Sequence, residues 1–194
     1  MRCIVLGGTG YIGGRLVPDL LAAGHDARVL ARSPEKLADV PWRDAVEVAR
    51  GDVTDPASLA GALAGQEVLY YLVHSLVRRD FVEVDRSAAR AVAAAARTAG
   101  VRRIVYLGGI VPAGTPLSAH LASRAEVGRI LLGSGMPTVA LQAAVIIGSG
   151  SASFEMMRYL TERLPLMMQW VNLVTPVPRA IAVPLIESLE HEVV

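Results

Sequence analysis

The sequence predicts an α/β fold, doubly wound around a parallel sheet, and two observations carry that prediction. Short β-branched or Leu-rich runs alternate with longer Ala/Leu/Arg helical patterns over roughly the first 150 residues, the signature of successive βαβ units. Composition agrees: 53% of the 194 residues are hydrophobic and 18 glycines come on top, against the roughly 45–50% usual for apolar residues and glycine together. Strands covered by helices on both faces demand such an excess.

Strands are expected near 2–7, 27–31, 46–50, 67–73, 102–107 and 138–147, each short and apolar on both sides. The first, Met1-Arg2-Cys3-Ile4-Val5-Leu6, runs at once into Gly7-Gly8-Thr9-Gly10 and reads as a strand feeding a glycine turn, not as a signal peptide. Helix starts are punctuated by Ser33-Pro34-Glu35 and Asp55-Pro56, a cap residue ahead of proline at the first helical position. Asp80 with Glu83 reads as a third start, resembling a capping box. The Ala-rich helix from about 81 to 99 should stop at Gly100, with Arg86, Arg90 and Arg97 as a solvated row. Ser153 is expected to cap a later helix in which Phe154, Met156, Met157 and Leu160 pack into a core. The domain is drawn over 1–165, with a Pro-punctuated apolar tail over 166–194.

Net charge of +1 with interspersed signs excludes disorder and offers no basic stripe for nucleic acid. The single cysteine, Cys3, and four scattered histidines exclude a disulfide scaffold and a zinc ribbon, so no metal is expected and a reducing, cytoplasmic compartment is. Apolar runs are broken before the roughly 18 residues that span a bilayer, so no transmembrane segment is expected.

The chemistry starts at Gly7-Gly8-Thr9-Gly10-Tyr11-Ile12-Gly13-Gly14, which follows the first strand and opens the first helix, the context that a dinucleotide fingerprint requires. Gly7 permits the sharp turn, Gly10 removes a Cβ that would hold a pyrophosphate away, and Gly13 lets the helix pack closely. Thr9, Tyr11 and Ile12 complete the loop, and the helix N-terminus supplies N–H groups for phosphate. The fold is then the Rossmann type. Its second strand ends Ala31-Arg32-Ser33, with Arg32 where an acid would bond the ribose 2′-hydroxyl of NAD. NADP(H) is therefore expected over NAD(H), with Arg32 and Ser33 on the 2′-phosphate.

Gly7 to Gly14, Gly51-Asp52-Val53 after the third strand, and Tyr70-Tyr71-Leu72-Val73-His74 ending the fourth resemble the atypical, NmrA-like branch of the short-chain dehydrogenase/reductase superfamily. The resemblance covers about residues 1–168. It implies that Asp52 bonds the adenine amine, and that Val53 and the Val73-His74 turn lie against the adenosine and its ribose. It also implies a Tyr-x-x-x-Lys pair on the helix after the fifth strand, with the lysine lowering the tyrosine pKa for proton transfer. Here the departure begins. The chain has one lysine, Lys36, and at the place of the pair stand His120 and Arg124; Gly108 or Gly109 replaces the serine of the enzymes. His120 titrates near neutrality and Arg124, one turn on, should depress its pKa, so both are candidate catalytic residues. Arginine cannot relay a proton as lysine can, which weighs against turnover. Tyr159 and Arg163 repeat the spacing on a later helix.

The 26 residues after Met168 are fewer than this branch carries, and Trp170-Val171-Asn172-Leu173-Val174-Thr175-Pro176 resembles a piece from farther along such proteins. The expectation is an internal deletion that removes most of a substrate lid and leaves an apolar tail for a second copy or a protein partner. Two functions share the same cleft: an NADP(H)-binding protein with little turnover, serving redox sensing or assembly, and an oxidoreductase passing hydride directly to a quinone or similar acceptor. Nucleotide-sugar epimerisation is a weaker third, because it relies on the missing tyrosine.

Overall fold

The computed structural model describes residues 1–74, 80–111, 116–144, 146, 148, 151, 154–155 and 158–159. Six strands, β1 (Arg2–Leu6), β2 (Asp26–Ala31), β3 (Glu47–Arg50), β4 (Val68–Tyr71), β5 (Arg103–Gly109) and β6 (Thr138–Ala143), form one sheet in the order β3-β2-β1-β4-β5-β6. That order reverses direction between β1 and β4, the switch point where α/β sheets bind ligands. The central register is parallel, with Val5 opposite Val29 on one side and Tyr70 on the other. Every position of β4 is buried, as are Cys3 to Leu6 of β1, because helices cover both faces.

One face, through Ile4, Leu6, Leu69, Tyr71, Ile104 and Tyr106, packs on α2 (Pro56–Leu63), α3 (Phe81–Thr98) and α4 (Ala119–Leu132). Tyr71 and Tyr106 meet edge to face at 5.9 Å. Alternate strand residues turn to the other face, where Leu16, Val17 and Leu20 of α1 (Gly13–Ala22) are buried. Pro18 sits inside α1 and has no N–H for the carbonyl of Gly14 one turn back. Trp42 supplies a donor in its place: its indole Nε1–H donates to Gly14 O at 3.2 Å.

Local punctuation held in part. Asp55 caps α2 by accepting from the amides of Ala57 and Ser58, and Gly100, at φ +73°, ends α3. Ser33 instead precedes only a 3-10 turn, Pro34–Leu37, and makes no side-chain cap bond. Asp80 makes no side-chain cap bond either, and Glu83 turns toward Arg86. The arginine row is not simply solvated. Arg86 is half-buried and forms a two-pronged pair with Glu126 of α4 at 2.6 and 3.1 Å. Arg90 and Arg97 are exposed as expected, although Arg97 also donates to the Ser134 carbonyl.

The chain divides into two compact units, Met1–Gln142 and Ala143–Val194. In the second, Ser151 Oγ accepts from the Phe154 amide at 3.1 Å; the expected cap, Ser153, lies outside the described residues, as do Met156, Met157, Leu160, Arg163, the boundary at 165/166 and the apolar tail. No helix among the described residues is long and apolar enough to cross a membrane.

Candidate functional site

The glycine loop is closed by its own backbone. Gly7 adopts φ +97°, a conformation open to glycine, and its carbonyl accepts from the Gly10 amide at 3.0 Å. Gly13 lets α1 start directly against this loop: a Cβ there would lie 2.4 Å from the Gly7 carbonyl oxygen and 2.5 Å from Gly8 Cα. The close packing expected of Gly13 is thus against the loop itself. At the head of α1, Ile12 offers no side-chain acceptor and the first turn carries no acid, so nothing there opposes an anion.

Beside the loop a cleft of about 350 Å³ opens along the carboxyl ends of the central strands. Gly7, Thr9 and Gly10 form its floor, Arg32 stands at the end of β2, Asp52 and Val53 follow β3, and Val73 and His74 follow β4. Among the remaining expected residues, Tyr11, Ile12, Gly13 and Ser33 do not line it. Gly13 acts through packing, and Tyr11 lies under the Arg15 guanidinium, 3.7 Å from the ring centre. The sequence reading gave no cofactor-contact role to Leu30, Ala31, Gly51, Thr54, Leu72 or Val84, which also line the cleft. Thr54 had a legible signal, since an Asp two residues ahead of a Thr invites a local turn; its amide and hydroxyl both donate to Asp52 Oδ1, at 2.9 and 2.8 Å. Val84 arrives from α3 and had none.

Asp52 is thereby held with its other oxygen 3.9 Å from Arg32 Nη1. The Arg32 side chain is 79% exposed, so this pair is worth little and leaves the guanidinium available. The cradle suits a dinucleotide: a loop without a Cβ at Gly7 and Gly10, a cation at the β2 edge and an oriented carboxylate after β3.

A second group of side chains gathers where β5 meets α4. Arg124 Nη2 donates to the Leu107 carbonyl at 2.7 Å, and Tyr106 Oη donates to the Arg124 carbonyl at 2.8 Å. Arg124 is therefore bound to β5. Packing explains the glycines after Leu107: a Cβ at Gly108 would lie 2.9 Å from the Tyr106 ring, and one at Gly109 2.8 Å from Leu121 Cδ1. His120, on the first turn of α4, has its ring centre 6.2 Å from that of His74 and 6.3 Å from that of Phe81. Burial foremost, then the Arg124 charge, holds the His120 pKa below its ordinary value, with Asp85 pulling the other way. His74 is depressed by the same two causes in the same order, and further by His120. Asp85 itself is buried on α3, where Ser123 Oγ donates to its Oδ2 at 3.3 Å.

Residues 7–140 match the NAD(P)H-binding family. The chain belongs to that family. Among relatives, it is 36% identical over 111 residues to sterol demethylase protein B of Methylococcus capsulatus, covering 55% of this chain and 34% of that protein. It is 27% identical over 177 residues to a 4-hydroxy-2-methyl-3-oxo-4-farnesyl-3,4-dihydroquinoline-1-oxide ketoreductase of Stigmatella aurantiaca, covering 79% of this chain and 53% of that one. Among solved structures, the triphenylmethane reductase of Citrobacter sp. in complex with NADP(H) superimposes with a TM-score of 0.65 at 26% identity, over 84% of this chain and 55% of that chain. The chain thus spans about a third to about half the length of these proteins. Two of these three, the ketoreductase and the triphenylmethane reductase, are reductases by name.

Proposed function

We propose that this chain is an NADP(H)-dependent oxidoreductase that exchanges a hydride with a carbonyl or quinone substrate. The observation that carries the reading is the cleft at the switch point with Arg32 exposed at its β2 edge and Asp52 held beside it. Gly7, Thr9 and Gly10 would hold the pyrophosphate, Arg32 the 2′-phosphate, and Asp52 the adenine amine. Bound there, the nicotinamide supplies hydride transfer. Support for the redox chemistry comes from the relatives, a ketoreductase and a reductase crystallised with NADP(H) among them.

A specific observation also favours the other reading, cofactor binding with little turnover in a sensing or assembly role. Arg124 is engaged with Leu107, and the Gly108 and Gly109 positions are closed to a side-chain hydroxyl by Tyr106 and Leu121.

One titration separates the parts. NADPH and NADH are added to the protein while nicotinamide fluorescence is followed, and 9,10-phenanthrenequinone is then added to the same cuvette. Loss of fluorescence is the expected result, and persistent signal selects the binding-only role. Arg32→Ala should cut the preference for NADPH by roughly 10- to 100-fold, the worth of hydrogen bonds to a charged group. An unchanged ratio of the two affinities would overturn the assignment of Arg32.

A further inference from the structure

Resting on the reading of this chain as a hydride-exchanging enzyme, we propose that His120, packed edge-on against the cleft-lining His74, is the catalytic residue that takes a proton from a secondary alcohol and returns it to the ketone. His74 lines the cleft directly, and the His120 ring stands 6.2 Å from it, centre to centre. The ordinary pKa of an imidazole lies near neutrality, and His120 is the one of this pair seated on α4. Phe81 opens α3 on one side of the ring, Arg124 lies one turn on along α4, and the amides of the first turn of α4 add partial positive charge. Each disfavours the imidazolium, so His120 is a neutral base at pH 7. Asp85, buried on α3 and bonded to Ser123, acts against them by favouring the imidazolium, which makes it a positioning residue.

In the oxidation, the substrate C–H bond breaks and its electron pair leaves as hydride to the bound oxidised cofactor. The O–H bond breaks with it, its proton going to a ring nitrogen of His120 and its electron pair forming the C=O π bond. The alcohol is oxidised, the cofactor reduced, and His120 then releases its proton to water. Ketone reduction runs the same path backwards and needs His120 protonated. Oxidation should therefore rise with pH and reduction fall, about one midpoint below the ordinary histidine value of 6.5.

The test uses the whole 194-residue chain with 1-tetralol and NADP⁺ in one direction and 1-tetralone and NADPH in the other, beside a histidine-ring NMR titration of the cofactor-bound protein. Each rate profile should reach its half-maximum at the NMR midpoint of His120. Asp85→Asn, which keeps an acceptor for Ser123, should move rate and NMR midpoints down together, and Arg124→Gln should move both up. His120→Gln should lower both rates about 100-fold or more and flatten the profile, with NADPH fluorescence titration unchanged. Rates that survive His120→Gln, or a rate midpoint that stays put while the NMR midpoint moves, overturn the proposal. Oxidation of NADPH by phenanthrenequinone with no turnover of either tetralin substrate overturns it too but leaves the oxidoreductase reading standing; failure to bind NADPH overturns that reading itself.

Discussion

Two helical glycines should respond in opposite directions to the same substitution. At Gly13 an added Cβ would meet the Gly7 carbonyl oxygen at 2.4 Å and Gly8 Cα at 2.5 Å, more than an ångström inside the roughly 3.5–4.0 Å of a relaxed contact. Both partners are backbone, so no side chain can swing aside; the loop or the helix must move. Overpacking of this kind costs about 1–3 kcal/mol, and the upper end applies here. Alanine recovers about 1 kcal/mol in helix propensity, leaving a net loss of about 2 kcal/mol. For a chain of this size that is a fall in Tm of about 4–8 °C. Gly61, in α2, has nothing within 4 Å of its added Cβ, so Gly61→Ala should raise Tm by about 2–4 °C. Thermal melts of the two variants, each paired with an NADPH titration, check this. Gly13→Ala should also weaken NADPH at least about tenfold, because the displaced loop floors the cleft. A Gly13→Ala protein that melts and binds like the parent would refute the argument that this glycine is fixed by contact with the loop.

The Trp42 indole should matter because Pro18 is in the helix: Trp42→Phe is expected to cost about 1 kcal/mol more in the parent than in a Pro18→Ala background, where the alanine amide supplies the N–H that the Gly14 carbonyl lacks. Urea melts of the four proteins in that cycle measure the coupling, and a zero value would show that the indole bond contributes nothing. Stability should also fall on mild acidification. His74 and His120 are depressed in the folded protein, so as pH drops below 6.5 the unfolded chain takes up protons that the folded one refuses, and the stability present at about pH 7.5 is lost toward about pH 5. Urea midpoints across that range test it, and replacing both histidines with glutamine should flatten the slope.

What could be read from the sequence was what neighbouring residues decide. The strand–glycine–helix start at Gly7 to Gly14, the Asp55 cap and the stop at Gly100 each follow from backbone rules acting over a few positions. Even local rules were overridden where a side chain had a better distant partner. Glu83 turned toward Arg86, and Arg86 reached forty residues on to Glu126. Nothing near Trp42 announces that its indole completes α1, and nothing near His74 announces His120. Such pairs are set by how α3 and α4 pack on the sheet, which no short window of sequence contains.

That difference separates cofactor from substrate in this protein. The proposed cofactor end is built mostly from backbone, a glycine loop and strand ends, with the Asp52 side chain held by the Thr54 turn and Arg32 beside it. A likeness to other NAD(P)H-binding proteins therefore transfers that end nearly whole. The reacting end we propose is built from side chains of α3 and α4, His120, Arg124, Asp85 and Ser123, which can change while the helices keep their apolar faces against Tyr71 and Tyr106. Fold does not fix chemistry there. A search for the substrate is better guided by the charge of that small cluster, neutral imidazoles between a buried carboxylate and a tethered guanidinium, than by the substrates of reductases that share the sheet.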